Sequence, residues 1–168
     1  MVDANSARLR RLSAELIGDI SRLAQTADEM RSAFDELRSP EASRLALYGA
    51  AALLDTFYSG IEKALARIAA ALGGIPDGPA WHRTLLEDMT INLPEIRPPV
   101  LSLDVVKLLE SYLAFRHRFR NLYLFDLEKS LLLPLMQRAP DVWAATEPEL
   151  RDFADTLKQM SDRIDEGV

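Results

Sequence analysis

Apolar residues recur at Leu9, Leu12, Leu16, Ile20, Leu23, Ala27, Met30, Phe34 and Leu37, alternating steps of three and four residues across four heptads. Only a helix brings such positions onto one side, so the chain must open with a long helix carrying a narrow apolar seam. A seam of that length needs a long partner. Ser39-Pro40 ends the helix, because the residue before a proline is pushed out of the α region. A second helix, expected from about Glu41, carries Leu54, Phe57, Tyr58, Ile61, Leu65, Ile68 and Leu72 on one side, and pairing the two gives an antiparallel hairpin. Any part of the seam left uncovered is a candidate dimer or partner surface.

The rest of the chain reads as shorter pieces. Gly73 to Pro79 is a turn-rich loop, followed by a helix from Ala80 to about Asn92. Pro94, Pro98 and Pro99 keep Leu93 to Leu101 extended until Ser102 caps a fourth helix. Leu127 to Arg138 predicts a short helix interrupted or re-aimed by Pro134, and Thr146-Glu147-Pro148-Glu149 has the form of a capping box that opens the last helix. The Leu131-Leu132-Leu133 run, with Leu135 and Met136, is too short to span a bilayer and is expected to pack into the core, as is Trp143. With only seven glycines, the composition agrees with an all-α fold. It is expected to be one domain over residues 1–168, a helical bundle with a long N-terminal hairpin and several shorter helices.

Several chemistries drop out. The chain has no cysteine and two histidines, His82 and His117, so thiolate chemistry is excluded and neither a metal nor another cofactor is expected. The N-terminus lacks an apolar run of signal-peptide length and no later run approaches the ~20 residues of a membrane span. A cytoplasmic protein without membrane contact is the expectation.

One segment stands out chemically. Phe115-Arg116-His117-Arg118-Phe119-Arg120-Asn121-Leu122-Tyr123 gathers three arginines in a chain of net charge −6, a local cationic spot suited to phosphate more than to general adhesion to nucleic acid. At 3.6 residues per turn Arg116, Arg120 and Tyr123 share one side, Phe115, Phe119 and Leu122 the neighbouring core side, and His117 and Asn121 a second polar row. Two readings fit. Guanidiniums could bind the phosphates of RNA while a polar group assists attack by a ribose 2′-hydroxyl, or the segment is a solvated face with Arg116 and Arg120 paired to Glu110, Asp126 or Glu128. His82, in the first turn of its helix, reads more readily as a surface or capping residue than as a ligand-facing one. Tyr58 and Glu62, four apart, read as a polar contact from the hairpin to a neighbouring helix.

Arg116, four residues, Asn121, one residue, Tyr123 resembles the Arg-x4-His-x-Tyr motif of HepT-like toxins, a branch of the HEPN superfamily of helical ribonucleases. The similarity extends through Phe57 to Glu62, where Tyr58 and Glu62 match a Tyr-x-x-x-Glu element, Trp81 to Leu86, the Arg97-Pro98-Pro99 connection, and Phe115 to Leu127. The resemblance implies an HEPN-like helical bundle that forms a homodimer, places one motif from each protomer at a shared cleft and cuts RNA without a metal. It implies the toxin component of a bacterial toxin-antitoxin system, whose cognate minimal nucleotidyltransferase acts as antitoxin by adenylylating the motif tyrosine, here Tyr123. Arg116, Asn121 and His117 would then be the catalytic residues, and Arg116, Arg118 and Arg120 the RNA-binding ones. Asn121 stands where the motif has histidine. An amide cannot exchange protons, so the alternative is a catalytically silent HEPN-type binding module that keeps the fold and the partner contacts. His117, about 40° around the helix from Asn121, is the candidate replacement, since an ordinary imidazole titrates near ~6.5.

Overall fold

The opening seam does form one helix. In a computed structural model that describes residues 3–121 and 126–167, α1 runs Ala4–Arg38, with the Asp3 carboxylate accepting the Asn5 N–H at 2.7 Å as its N-cap. All the seam residues except Phe34 are buried, and Phe34 packs at the margin of the core. Ser39 is extended ahead of Pro40, as the proline requires. The second helix, α2 (Arg44–Ala71), begins a turn later than Glu41 because Ser43 caps it, its hydroxyl accepting the Ala46 N–H at 3.1 Å. Gly73 and Gly74, at φ 127° and 98°, then turn the chain through backbone conformations that other residues rarely adopt.

The next helix, α3 (Trp81–Asp88), is shorter than expected. Arg97 explains the short stop: buried, it donates to the carbonyls of Asp88 (2.9 Å), Ile91 (3.1 Å) and Pro98 (3.3 Å), tying up backbone acceptors at the end of α3. Burial also lowers its pKa from the usual arginine value. The Arg97-Pro98-Pro99 connection is therefore a structural clamp. The fourth helix, α4 (Leu103–Asn121), starts at Ser102 as expected, the Ser102 hydroxyl accepting the Val105 N–H at 3.3 Å.

The C-terminal third departs from expectation. Where a helix broken at Pro134 and a fresh start at Thr146 were expected, one helix, α5, runs unbroken through Lys129–Glu166 with Pro134, Pro140 and Pro148 inside it. Its buried positions, Leu132, Leu135, Met136, Ala139, Val142, Trp143, Thr146, Leu150, Phe153, Ala154, Leu157 and Ser161, keep helical spacing throughout. Eight of them are large and apolar, each contributing roughly 1.5–3 kcal/mol on burial. An interior proline costs about 3 kcal/mol. Burial along the whole length wins, and the prolines are confined to exposed or half-buried positions. Thr146 is not a cap: its hydroxyl donates to the Val142 carbonyl one turn back at 2.7 Å. Glu149 does cap a helix, but another one, accepting the Ser102 N–H at the start of α4 at 2.8 Å.

The five helices among the described residues form an all-α bundle. Helix α1 lies between α2 and α5. It runs antiparallel to α5, with Ser13 donating to the Ala154 carbonyl at 2.8 Å and Arg10 paired to Asp162 and Asp165 at 2.9 and 2.6 Å. Apart from Phe34 at the margin of the core, the seam is thus covered from within the chain rather than left as a partner surface. On the other side of α2, Phe57 sits edge-on to Tyr112 of α4 (5.6 Å) and Trp143 of α5 (6.2 Å). Burial pushes the Tyr112 hydroxyl up to about 12, and it donates to the Leu135 carbonyl at 2.8 Å. Leu132, Leu135 and Met136 are core residues, as the apolar run predicts. No helix among the described residues is long and apolar enough to cross a membrane.

Because α5 tolerates rather than requires its prolines, Pro148→Ala is expected to stabilise the protein by about 2 kcal/mol. It recovers about 3 kcal/mol of helix-interior cost, less up to about 1 kcal/mol from a looser unfolded chain. Urea unfolding measures it, and a loss of stability would mean that the helix breaks at that position.

Candidate functional site

Helix α2 is apolar on the side facing the core, but Asp55, Ser59 and Glu62 interrupt it at i, i+4 and i+7, so they form one polar row. That row faces α4. Asp55 pairs with Arg120 at 3.6 Å, an ion pair too long to be a hydrogen bond. Ser59 accepts from Arg116 Nε at 3.2 Å, and Glu62 Oε1 lies 3.2 Å from Arg116 Nη2. The solvated-face reading had named Glu110, Asp126 and Glu128 as partners for these arginines. Arg116 instead turns inward to α2, Arg120 reaches Asp55 of the same helix while staying exposed, and Glu110 pairs with Arg83 at 3.7 Å.

Arg116 is therefore not on an open polar face; it is only 8% exposed. The preceding residue, Phe115, faces the core and stacks on the half-buried Phe119 at 5.6 Å. A guanidinium can be buried there because its charge is met by Glu62, itself buried. The other Glu62 oxygen, Oε2, is 2.7 Å from His82 Nδ1. A carboxylate can only accept, so Nδ1 carries the proton and Nε2 is directed away from Glu62. Trp81 stacks on the His82 ring at 3.8 Å, giving it a second restraint.

His117 completes the cluster. Its ring stands edge-on to His82 with centroids 5.2 Å apart, so both histidines of the chain, one on α3 and one on α4, meet beside Arg116. Although His117 is exposed as a residue, partial burial of its ring lowers its pKa, and the neighbouring His82 and Arg116 lower it further. Tyr58, fully buried next to this row, is held well above the usual tyrosine range by burial and by the Glu62 charge.

The remaining expected site residues scatter. Asn121 turns back on its own helix, its amide donating to the His117 carbonyl at 2.8 Å. Arg118 is exposed on another side of α4, lining a groove with Phe115, Leu131 and Leu135 and a neighbouring one with Asp126 and Glu128. The three arginines thus do not make one cationic spot. Tyr123 and Leu122 lie outside the described residues. Ser59 and His82, which spacing alone does not single out, contact Arg116 and Glu62, and the Asp55-Ser59-Glu62 row is the sequence signal for where α4 places its arginines.

The lowered value of His117 has a sign that can be checked. The unfolded chain takes up this proton first as pH falls, so the stabilisation from His117 is intact above ~6.5 and is lost as pH falls through the folded-state value. NMR titration of the ring protons should give a midpoint below ~6.5, moving back up in His82→Gln. A midpoint at or above the ordinary value would contradict the arrangement.

A family model described as HepT-like protein matches residues 49–157, which include Asp55, Ser59, Glu62, His82, Arg116 and His117. No curated protein and no solved structure matches the chain.

Proposed function

The chain belongs to the HepT-like protein family, and on that footing we propose that it is the toxin component of a toxin-antitoxin pair, cutting RNA without a metal at a cleft between two protomers. The observation that carries the reading is the convergence of both histidines on a buried, oriented arginine. Ser59 and Glu62 hold Nε and Nη2 of Arg116, which aims the guanidinium and leaves Nη1 for a phosphate oxygen. His117, whose pKa is lowered, is the base that takes the proton of the ribose 2′-hydroxyl. The 2′-oxygen then attacks phosphorus and the bond to the 5′-oxygen breaks, leaving a 2′,3′-cyclic phosphate. A cognate minimal nucleotidyltransferase is the antitoxin in this reading, with Tyr123 as the residue it adenylylates.

A second reading has its own support. The motif position has no imidazole, and the Asn121 amide is committed to the His117 carbonyl. A silent binding module would look the same at that position.

Cleavage of RNA by the purified protein in the presence of a chelator separates the two. Arg116 is buried on Glu62, so Arg116→Ala would strip a buried carboxylate of a partner; Arg116→Lys keeps the charge and loses the fork. Arg116→Lys is expected to lower cleavage by at least 100-fold, on the scale of a lost charge-stabilising group. Arg118→Ala should stay within about threefold of the parent, since an exposed lysine or arginine contributes to RNA affinity without aiming at the reacting phosphate. Equal losses in the two would indicate a diffuse electrostatic surface, and a parent that leaves RNA intact would favour the binding module. Light scattering should give twice the chain mass; a monomer at high concentration would remove the shared cleft.

A further inference from the structure

We propose that His82 is a second catalytic residue of this site, the general acid that protonates the departing 5′-oxygen of RNA, and that Glu62 is its positioning residue. The inference rests on the ribonuclease reading and adds to it a group that the motif does not contain. In-line displacement at phosphorus sets the attacking and leaving oxygens on opposite sides, so a single imidazole cannot serve both. A site with one base leaves the departing alkoxide to find its proton in water.

The geometry supplies a second imidazole. His82 lies on α3, with ring centroid 5.2 Å from that of His117 on α4, and Arg116 is joined to it through the two oxygens of Glu62. The two rings meet edge to face, with their planes 84° apart, rather than stacking. Glu62 on Nδ1 and Trp81 on the ring face leave one rotational setting, in which Nε2 is the nitrogen available to a ligand. In the imidazolium form both nitrogens carry protons, one held on Glu62 and one on Nε2 for delivery. The step balances: His117 takes the 2′-hydroxyl proton as the bond from the 2′-oxygen to phosphorus forms, and the bond to the 5′-oxygen breaks as His82 Nε2 gives that oxygen its proton. Product release and exchange with water return each ring to its starting state.

A structural explanation for the same contacts exists, since Glu62 buried without His82 would keep only Arg116 and Ser59 nearby. The test must therefore read leaving-group chemistry. His82→Gln keeps an amide that can donate to Glu62 but cannot supply a proton. It is compared with the parent and His117→Gln on a dinucleotide with an ordinary 5′-oxygen and on the same dinucleotide with a bridging 5′-sulfur, whose thiolate departs without protonation.

The expected result for His82→Gln is a loss of about 10²–10⁴-fold on the oxygen substrate and less than about tenfold on the sulfur substrate. His117→Gln should lose activity on both. An equal loss of His82→Gln on the two substrates, or no loss on either, overturns the assignment of His82 while leaving the ribonuclease reading in place, provided that the parent cleaves and Arg116→Lys does not. A parent that cleaves neither substrate overturns both. Should His82→Gln unfold, His82→Ala assayed with added imidazole replaces it; a rate restored by imidazole on the oxygen substrate supports the assignment, and an unrestored rate in a folded protein counts against it.

Discussion

The buried carboxylate of Glu62 is the interaction on which the arrangement of α2, α3 and α4 turns. An ionised side chain removed from water costs several kcal/mol unless partners meet it. Glu62 is met on one oxygen by Arg116 of α4 and on the other by His82 of α3. One residue thus ties together three helices that share few other polar contacts. It also sets which way α4 faces: with Arg116 on Glu62 and Ser59, Arg120 falls beside Asp55, and Phe115 and Tyr112 are delivered to the core. The Arg97 clamp acts on the same assembly from behind, fixing where α3 stops and hence where its first turn, with His82, can lie.

Those features of the fold that follow from local stereochemistry were legible in the sequence. The three-and-four spacing from Leu9 to Leu37, the break at Ser39-Pro40 and the Ser102 cap each depend on a few neighbouring residues, and each stands as read. Local stereochemistry misleads where a local penalty is outweighed by a distant gain. Pro134, Pro140 and Pro148 argue for helix ends when taken alone, but the unbroken spacing from Leu132 to Leu157 provides a buried face that only a continuous helix can use. The Glu149 carboxylate carries the same lesson. Its capping role was legible, but the helix it caps belongs to a different part of the chain.

The site was less legible than the fold for a related reason. Helical spacing places Arg116 and Arg120 on one side, and that is correct, but it cannot say whether the side faces water or another helix. The answer lay in the Asp55-Ser59-Glu62 row, whose meaning depends on α2 and α4 being neighbours. His82 and His117 are far apart in sequence and on separate helices, so no spacing rule brings them together. Asn121 is turned back on its own helix, its amide bonded to the His117 carbonyl. The tertiary structure brings the His82 ring, from α3, to within 5.2 Å of that of His117.

The antiparallel seating of α1 on α5 joins segments that are far apart in the chain and are therefore made at different times. Ser13 meets the carbonyl of a residue 141 positions later. At roughly 5–20 residues per second, ribosomal synthesis leaves the face of α1 that α5 will cover without its partner for on the order of ten seconds. During that interval α2 can shield one flank only, and the flank that α5 will cover stays open to other nascent chains. Helix α5, which emerges after α1 to α4, is thus the one that makes α1 safe from aggregation. A message truncated before α5 would yield a sticky hairpin rather than a smaller working protein.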